Sequence, residues 1–138
     1  MIILDTNVLS ALMRQIPEPS VVSWLDNQPR ISVWTTSVTV LEVRFGLQVM
    51  ATGRRRSALM LAFEAVLEKI AHRVAAFDVA AALRAGDLMA SRSGEGRPVE
   101  LRDTMIAGIV LAHRATLATR HTAHFQDAGI PLVNPWLA

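Results

Sequence analysis

Short apolar runs alternate with longer segments of helical periodicity along this chain, and that alternation restricts its fold more than any other feature. Four runs, MIIL, ISVWTTS, ATLAT and IPLVN, have the length and apolar content of buried strands. Parallel strands covered by helices have this character, because neither face of their sheet meets water. The sequence therefore predicts an α/β domain with a central, mainly parallel sheet flanked by helices.

Helices are predicted for the segments between these strands. The first follows MIIL directly, with Thr6 or Asn7 as its N-cap, and the second has Ser20 as its N-cap. Another helix, within residues 57–73, has a broad apolar face of Leu59, Leu61, Phe63, Val66, Leu67 and Ile70. Further helical segments are VTVLEVRFGLQVM, VAAALRAGDLMASR, which the loop SGEGRP ends, and LRDTMIAGIVLAH, whereas RVAAFD is a possible short strand.

The composition agrees with a single folded domain spanning residues 1–138. Hydrophobic residues make up 51% of the 138 residues, which is enough for a core, and no low-complexity linker divides the chain. No apolar run approaches the roughly 20 residues that cross a bilayer. No signal-peptide pattern is seen, so we expect a cytoplasmic protein that does not contact the membrane. The absence of cysteine excludes disulfides and thiolate metal sites.

Three acidic residues stand where a charge is costly. Asp5 directly follows the first strand, at the carboxyl end where open parallel sheets form their binding crevice. Glu42 interrupts the apolar segment VTVLEVRFG, and Asp103 lies in the first turns of a largely apolar helix. A buried carboxylate needs a basic partner, a helix cap or a cation. If the three acids converge, their oxygens suit Mg²⁺ or Mn²⁺, which can activate a water for cutting a phosphodiester.

Each acid also has a purely structural interpretation. Asp103 could interact with the N-terminus of its helix, Glu42 could pair with Arg44 or a more distant arginine, and Asp5 could begin a turn. Because three separate coincidences are then required, the shared acidic site is the favoured interpretation. A phosphoaspartate acceptor is disfavoured for Asp5, because that chemistry needs a lysine after a later strand. The one lysine of the chain, Lys69, lies within a predicted helix.

The stretch TRHTAHF places two of the four histidines, His121 and His124, three positions apart. A zinc hydrolase site is disfavoured here, because the general base of the H-E-x-x-H motif is missing and the segment has the character of a loop. His72 and His113 each lie near the end of a predicted helix, where a structural role is favoured because a cation interacts well with the helix dipole.

Four stretches in order, MIILDTNVLSALMR, TTSVTVLEVRFGL, GRPVELRDTMIAGIVLAHRATLATRHTAHF and GIPLVNPW, resemble the successive motifs of VapC-type PIN-domain toxins, closest to the FitB-like branch. The resemblance covers essentially the whole chain. It implies a PIN domain that is a Mg²⁺- or Mn²⁺-dependent endoribonuclease of structured RNA, such as tRNA or rRNA. It also implies a homodimer silenced by a VapB- or FitA-like antitoxin whose tail enters the catalytic groove. Such an antitoxin commonly carries a ribbon-helix-helix domain, through which the pair contacts operator DNA.

The resemblance assigns the catalytic and metal-binding roles to Asp5, Glu42 and Asp103. Glu42 ends the T-x-x-E pattern that begins at Thr39, and Asp103 begins the pattern D-x-x-I-A. Contacts with the substrate or the antitoxin are expected from residues of the same motifs, namely Asn7, Thr39, Thr119, Arg120 and His121.

The chain departs from the family pattern at the fourth acidic position. The family usually reads T-R-N-x-x-D-F there, and in this chain His124 replaces the aspartate and His121 the asparagine. Imidazole suits Mn²⁺ better than Mg²⁺, and when neutral it brings no negative charge. Asp127 could substitute for the missing acid if the loop shifts. One interpretation is therefore an active nuclease with a tuned pocket. The other is a catalytically impaired PIN domain that binds the antitoxin and acts as a co-repressor.

Overall fold

The structure, a computed structural model, describes residues 1–96 and 100–138. The end of the predicted SGEGRP loop, at Arg97 and Pro98, lies outside the described residues. The strands are β1 (Ile2–Leu4), β2 (Val33–Thr36), β3 (Val74–Ala75), β4 (Thr116–Ala118) and β5 (Leu132–Val133). The helices are α1 (Thr6–Met13), α2 (Pro19–Asp26), α3 (Ser37–Val49), α4 (Arg54–Lys69), α5 (Val79–Gly94) and α6 (Leu101–His113). Short 3-10 helices cover Arg30–Ser32 and Thr122–Ala128.

The sheet formed by the described residues has five strands in the order β3-β2-β1-β4-β5. Every pairing is parallel, with Ile3 opposite Trp34 of β2 and Leu117 of β4. The predicted α/β fold with a parallel sheet and flanking helices is therefore confirmed. None of the helices in the described part of the chain is long and apolar enough to cross a membrane.

Successive residues of β1 point to opposite faces of the sheet, as strand geometry requires. Leu4 packs with Val8 of α1 on one face, where α2 and α4 complete the apolar layer. Ile3 packs with Ile109 of α6 and Phe125 on the other face, where α5 also contributes. All five of these side chains are fully buried. Burial on both faces explains why the strand runs are apolar without alternating polar residues.

Two of the predicted helix caps are wrong. The N-cap of α1 is Asp5 rather than Thr6 or Asn7, because the helix begins only one residue after β1 ends. The helix α2 begins at Pro19, so Ser20 lies inside its first turn and Glu18 is the N-cap residue. Proline suits this first helical position because its fixed φ angle is already helical and its missing N–H has no partner to lose.

The predicted apolar face of α4 is correct except at one position. Phe63, Val66, Leu67 and Ile70 are buried, whereas Leu61 is 73% exposed. Residues two positions apart on a helix point in nearly opposite directions, because buried neighbours recur at three- and four-residue spacing. Leu61 therefore lies opposite Phe63, on the outer side of the helix.

Candidate functional site

Three neighbouring strands end at one edge of the sheet, and each end carries a polar residue. Asp5 follows β1, Thr36 ends β2 and Thr119 follows β4. The chain extends the sheet through β2 and β3 on one side of β1, and through β4 and β5 on the other. Open parallel sheets bind ligands at such a switch point. A ligand-binding site is therefore expected at this edge of the sheet.

Asp5 is buried, with 4% of its surface exposed, and both of its carboxylate oxygens accept hydrogen bonds. Oδ1 accepts the backbone N–H of Thr6 at 2.8 Å, which caps α1. Oδ2 accepts the Thr119 hydroxyl at 2.7 Å and the Asn7 side-chain amide at 3.0 Å. Donors after β1 and after β4 thus fix this carboxylate at the boundary between the two strands.

Glu42 reaches the same edge from the second turn of α3. The Thr6 hydroxyl donates to Glu42 Oε1 at 2.8 Å and lies 3.0 Å from the Thr39 hydroxyl. Because Thr6 follows Asp5 directly, these hydrogen bonds connect the surroundings of the first two predicted acids. Arg102 Nη1 is 3.8 Å from Glu42 Oε2, so a distant arginine does approach Glu42, as one structural interpretation expects.

Asp103 lies in the first turn of α6 and contacts the histidine of the fourth position. His124 Nδ1 is 3.1 Å from Asp103 Oδ2. The His124 ring stacks on the His121 ring, with centroids 5.0 Å apart and planes 12° apart. The His124 side chain is 56% exposed and that of Asp103 is 23% exposed, so this pair forms the solvent-facing side of the cluster.

Electrostatic repulsion links the three acids. Burial raises the pKa of Asp5 above its ordinary value of 3.8, and Asp103 raises it further, although hydrogen bonds from Thr119 and Thr6 oppose the change. Burial also raises the pKa of Asp103, while the contact with His124 lowers it and the nearby charge of Glu42 raises it. Neighbouring acids therefore disfavour the ionised forms of Asp5 and Asp103, and a cation beside these two carboxylates would oppose that effect.

The chemistry of this donor set fits a hard divalent cation. Carboxylate oxygens are the ligands that Mg²⁺ and Mn²⁺ prefer. Burial first, and the charge of neighbouring acids second, raises the pKa of Asp5 and of Asp103, so a bound cation would favour their ionised forms. Within residues 1–96 and 100–138, however, no three His, Asp or Glu side chains are grouped closely enough to hold an ion together. A shared ion would therefore require the carboxylates to turn towards one another.

A profile of the PIN domain matches residues 2–130. The chain belongs to the PIN-domain family. It is 39% identical over 137 residues to the VapC ribonuclease Y4jK of Sinorhizobium fredii, covering 99% of this chain and 98% of that protein. It is 33% identical over 137 residues to the toxin FitB of Neisseria gonorrhoeae, covering 99% of each. The solved structure of FitAB bound to an IR36 DNA fragment superposes with a TM-score of 0.87 at 33% identity, covering 99% of this chain and 96% of the other. The resemblance to VapC-type, FitB-like PIN domains is confirmed.

Two of the residues expected to contact a ligand, Thr39 and Thr119, bond to other side chains of the site in this PIN domain. Thr39 and Thr119 are fully buried, which favours an orienting role for their hydroxyls. Asn7 also orients the site, because its Oδ1 accepts the Arg120 backbone N–H at 2.9 Å. Arg120 and His121 are exposed, as a ligand contact requires, and the Arg120 guanidinium lies 5.0 Å from the centre of the Trp136 ring.

The fourth acid of this PIN domain is not supplied by Asp127. Both of its carboxylate oxygens accept hydrogen bonds from Arg92, at 2.8 and 2.9 Å. The suggestion that Asp127 substitutes for the missing acid is therefore wrong, because its carboxylate is committed to this ion pair. Arg92 and Arg102, which contacts Glu42, are functional candidates that the sequence did not reveal. Nothing in their local sequence separates them from the other arginines.

Proposed function

We propose that this PIN domain is the toxin of a type II toxin–antitoxin pair and cuts structured RNA, such as tRNA or rRNA, in a Mg²⁺- or Mn²⁺-dependent reaction. Its similarity to a VapC ribonuclease and to the toxin FitB supports the activity and the biological setting. The acids at the switch point support the same chemistry on physical grounds.

The burial of Asp5 beside other acids is the observation that carries the proposal. A neutral Asn or Ser caps a helix as well as Asp does, so capping alone does not require a charge here. The charge is costly, because burial and the nearby Asp103 both raise the pKa of Asp5. Acids kept in such surroundings are typical of functional sites, where an ion or a substrate compensates the cost.

Asp5, Glu42 and Asp103 would hold the cation. When bound, the cation neutralises charge on the RNA phosphate and lowers the pKa of a coordinated water. The rest of the site orients these acids, because threonine hydroxyls and the Asn7 amide donate to Asp5 and Glu42. The site can therefore be assembled before substrate arrives, apart from the turn of the carboxylates towards the ion.

The positive side chains at the rim suit an RNA phosphate. Arg120 is exposed beside Thr119, and the Arg102 side chain, which approaches Glu42, is 47% exposed. Arginine binds phosphate well because its planar fork can donate two hydrogen bonds at once. Binding through these side chains should weaken as the salt concentration rises.

The partners of this PIN domain are proposed from the same relatives. The FitAB complex was solved bound to DNA. We expect a VapB- or FitA-like antitoxin whose ribbon-helix-helix domain contacts operator DNA, with its tail entering the acidic groove. The PIN domain would then reach the operator only through the antitoxin, as part of a homodimer.

A catalytically impaired PIN domain that acts as a co-repressor is the second candidate function. The His124–Asp103 contact favours it, because an imidazole lies where the family pattern usually has an acid. A cation bound at Asp103 must compete with that contact, and neutral imidazole adds no charge to attract the cation.

Cleavage of RNA by purified, antitoxin-free protein tests the proposal. The parent, Asp5→Asn and His124→Asp are incubated with a tRNA and rRNA pool in Mg²⁺ or Mn²⁺. We expect the parent to cut, and Asp5→Asn to lose more than the roughly 10–100-fold seen for changes to outer partners of metal ligands. Cleavage by Asp5→Asn at the parental rate would exclude the acidic site. An inactive parent that gains cleavage through His124→Asp would overturn the active nuclease and support the catalytically impaired PIN domain instead.

A further inference from the structure

A buried arginine outside the acid cluster joins the two segments that carry Asp103 and His124, the solvent-facing pair of the cluster. Arg92, near the end of α5, is 4% exposed, and all three of its side-chain nitrogens donate hydrogen bonds. Nε and Nη2 donate to the two oxygens of Asp127 at 2.8 and 2.9 Å. Nη1 donates to the Thr104 hydroxyl at 2.8 Å, and Nη2 also donates to the His124 carbonyl at 2.9 Å.

The partners of Arg92 surround the contact between Asp103 and His124. Thr104 follows Asp103 in α6, and its hydroxyl also donates to the Glu100 carbonyl at 2.8 Å. The His124 carbonyl accepts a hydrogen bond from Arg92, and the His124 ring nitrogen Nδ1 contacts Asp103. One guanidinium therefore holds both backbone segments whose side chains meet in the acid cluster.

The 3-10 helix Thr122–Ala128 needs support of this kind. Its seven residues exceed the 3–4 that 3-10 helices usually reach, because their hydrogen-bond geometry is poor. Phe125 and Ala128 bury one side of it against the sheet. Apolar packing tolerates small rotations and shifts, whereas four hydrogen bonds from one planar group do not. Arg92 therefore fixes the direction in which this helix presents the His124 ring.

We propose that Arg92 is a positioning residue of the active site, which holds the 122–128 helix against α6 so that the His124 imidazole stays beside Asp103. This inference rests on the proposed function, because it concerns the same acid cluster. Stability alone is a weak explanation for the pair, since a buried ion pair often contributes little compared with apolar side chains of similar size. Lysine could not replace Arg92, because a single ammonium group cannot reach two carboxylate oxygens, a hydroxyl and a carbonyl together.

Arg92→Lys tests this role, with Arg73→Lys as the matched control. Arg73 also bridges two segments, by donating to the Val33 and Arg30 carbonyls, but it does so at the amino end of β2, at the opposite edge of the sheet. The first measurement is the nuclear Overhauser effect between the His124 ring protons and the Asp103 β-protons in metal-free protein. We expect Arg92→Lys to lose this signal and Arg73→Lys to retain it.

Cleavage kinetics supply the second measurement. If RNA cleavage uses Asp103 in the orientation that the His124 contact gives it, Arg92→Lys should lower kcat about tenfold or more, as changes to outer partners of metal ligands do, with KM for RNA unchanged. The same change made in His124→Ala should have almost no further effect, because the ring that Arg92 positions is gone. Additive losses in the two backgrounds would overturn the proposal.

The two measurements separate failure of this inference from failure of the proposed function. The Overhauser signal needs neither RNA nor metal, so a parent that cuts no RNA leaves the first test intact. Persistence of the signal at parental intensity in Arg92→Lys, or its equal loss in Arg73→Lys, would overturn the positioning role. If thermal unfolding shows that Arg92→Lys does not fold, Asp127→Asn takes its place with the same expected loss of signal and the same contradicting result.

Discussion

The two oxygens of the Asp5 carboxylate have different hydrogen-bond partners, and both sets of hydrogen bonds help to stabilise a buried charge. Its Oδ1 caps α1, where the positive end of the helix dipole favours an anion. Its Oδ2 accepts hydrogen bonds from Thr119 and Asn7, which stabilise the ionised form. Even so, burial keeps the pKa of Asp5 raised, so these interactions do not fully offset the loss of hydration. The remaining cost is what a cation can compensate.

The stability of the metal-free protein should fall as the pH rises through the raised pKa values of Asp5 and Asp103. In that window the folded state still binds protons that the unfolded chain, with ordinary pKa values of 3.8, has already released. Their contribution is therefore fully present below the unfolded pKa and is lost as the pH rises through the folded pKa. Urea unfolding of the parent and Asp103→Asn across the acidic range measures it, and the free energy of unfolding of the parent should fall more steeply.

Two comparisons make this prediction specific to the acid cluster. Mn²⁺ should reverse the loss at neutral pH, because cation binding stabilises the ionised carboxylates of the folded state. Asp26→Asn is the matched control, because Asp26 is an exposed acid paired only loosely with Lys69 at 3.4 Å. Its pH profile should follow the parent. If Asp103→Asn also follows the parent, the predicted loss of stability on ionisation of the buried Asp103 is contradicted.

The acids could be predicted from the sequence because each breaks a local rule, placing a charge within or beside an apolar run. Arg92 could not be predicted, since its partners come from α6 and from the 122–128 helix and only folding brings them together. The same tertiary contact explains the error at Asp127. Its proximity in sequence to His124 suggested a replacement acid, but the ion pair with Arg92 directs it elsewhere.

Close packing of α5 against α6 sets the distance between Arg92 on α5 and Asp103 on α6. Gly108 of α6 makes this approach possible: a Cβ atom there would lie 2.5 Å from the Ala81 carbonyl oxygen and 2.8 Å from the Ala85 Cβ. Neither atom can move aside, because the first belongs to the backbone and the second to a side chain of one carbon. The small residues along this contact are therefore a structural requirement of the site.

Gly108→Ala should destabilise the fold, by about 1–3 kcal/mol from overpacking. Gly86→Ala is its counterpart on α5, where an added Cβ meets nothing within 4 Å. That change should stabilise by about 0.5–1 kcal/mol, because Ala is the better helix former. Urea unfolding of both variants gives the comparison. Equal effects of the two substitutions would contradict the close approach of the helices.

The sequence predicts the bounds of some helices and strands correctly and those of others not. The span of α6 was predicted in full, because a long periodic segment carries many agreeing signals. The caps of α1 and α2 were not, because they depend on where the preceding segment ends. Within the segment RVAAFD, which is predicted as a possible strand, only Val74–Ala75 form β3. The length of β3 is set by its pairing with β2 at the edge of the sheet.

At the scale of the whole molecule, apolar side chains along one side of α3 are exposed in the part of the chain that the structure describes. Leu41, Phe45 and Val49 are 55%, 59% and 67% exposed. Their spacing of four residues puts them on one face of the helix. Contiguous exposed apolar surface on a folded domain usually marks an interaction site. This stripe is where we expect the homodimer contact that the resemblance implies, with the acid cluster left open to RNA or antitoxin.

Phe45→Glu should weaken the homodimer that we expect at this stripe. An aromatic side chain at the centre of an interface commonly contributes 2 kcal/mol or more, so the dimer dissociation constant should rise at least about 30-fold at roughly tenfold per 1.4 kcal/mol. Sedimentation equilibrium of the purified protein measures that constant. Leu61→Glu is the control, because it puts the same charge on an apolar side chain of similar exposure on α4. A parent that is monomeric, or a control that dissociates as readily as Phe45→Glu, would show that the α3 stripe is not the dimer contact.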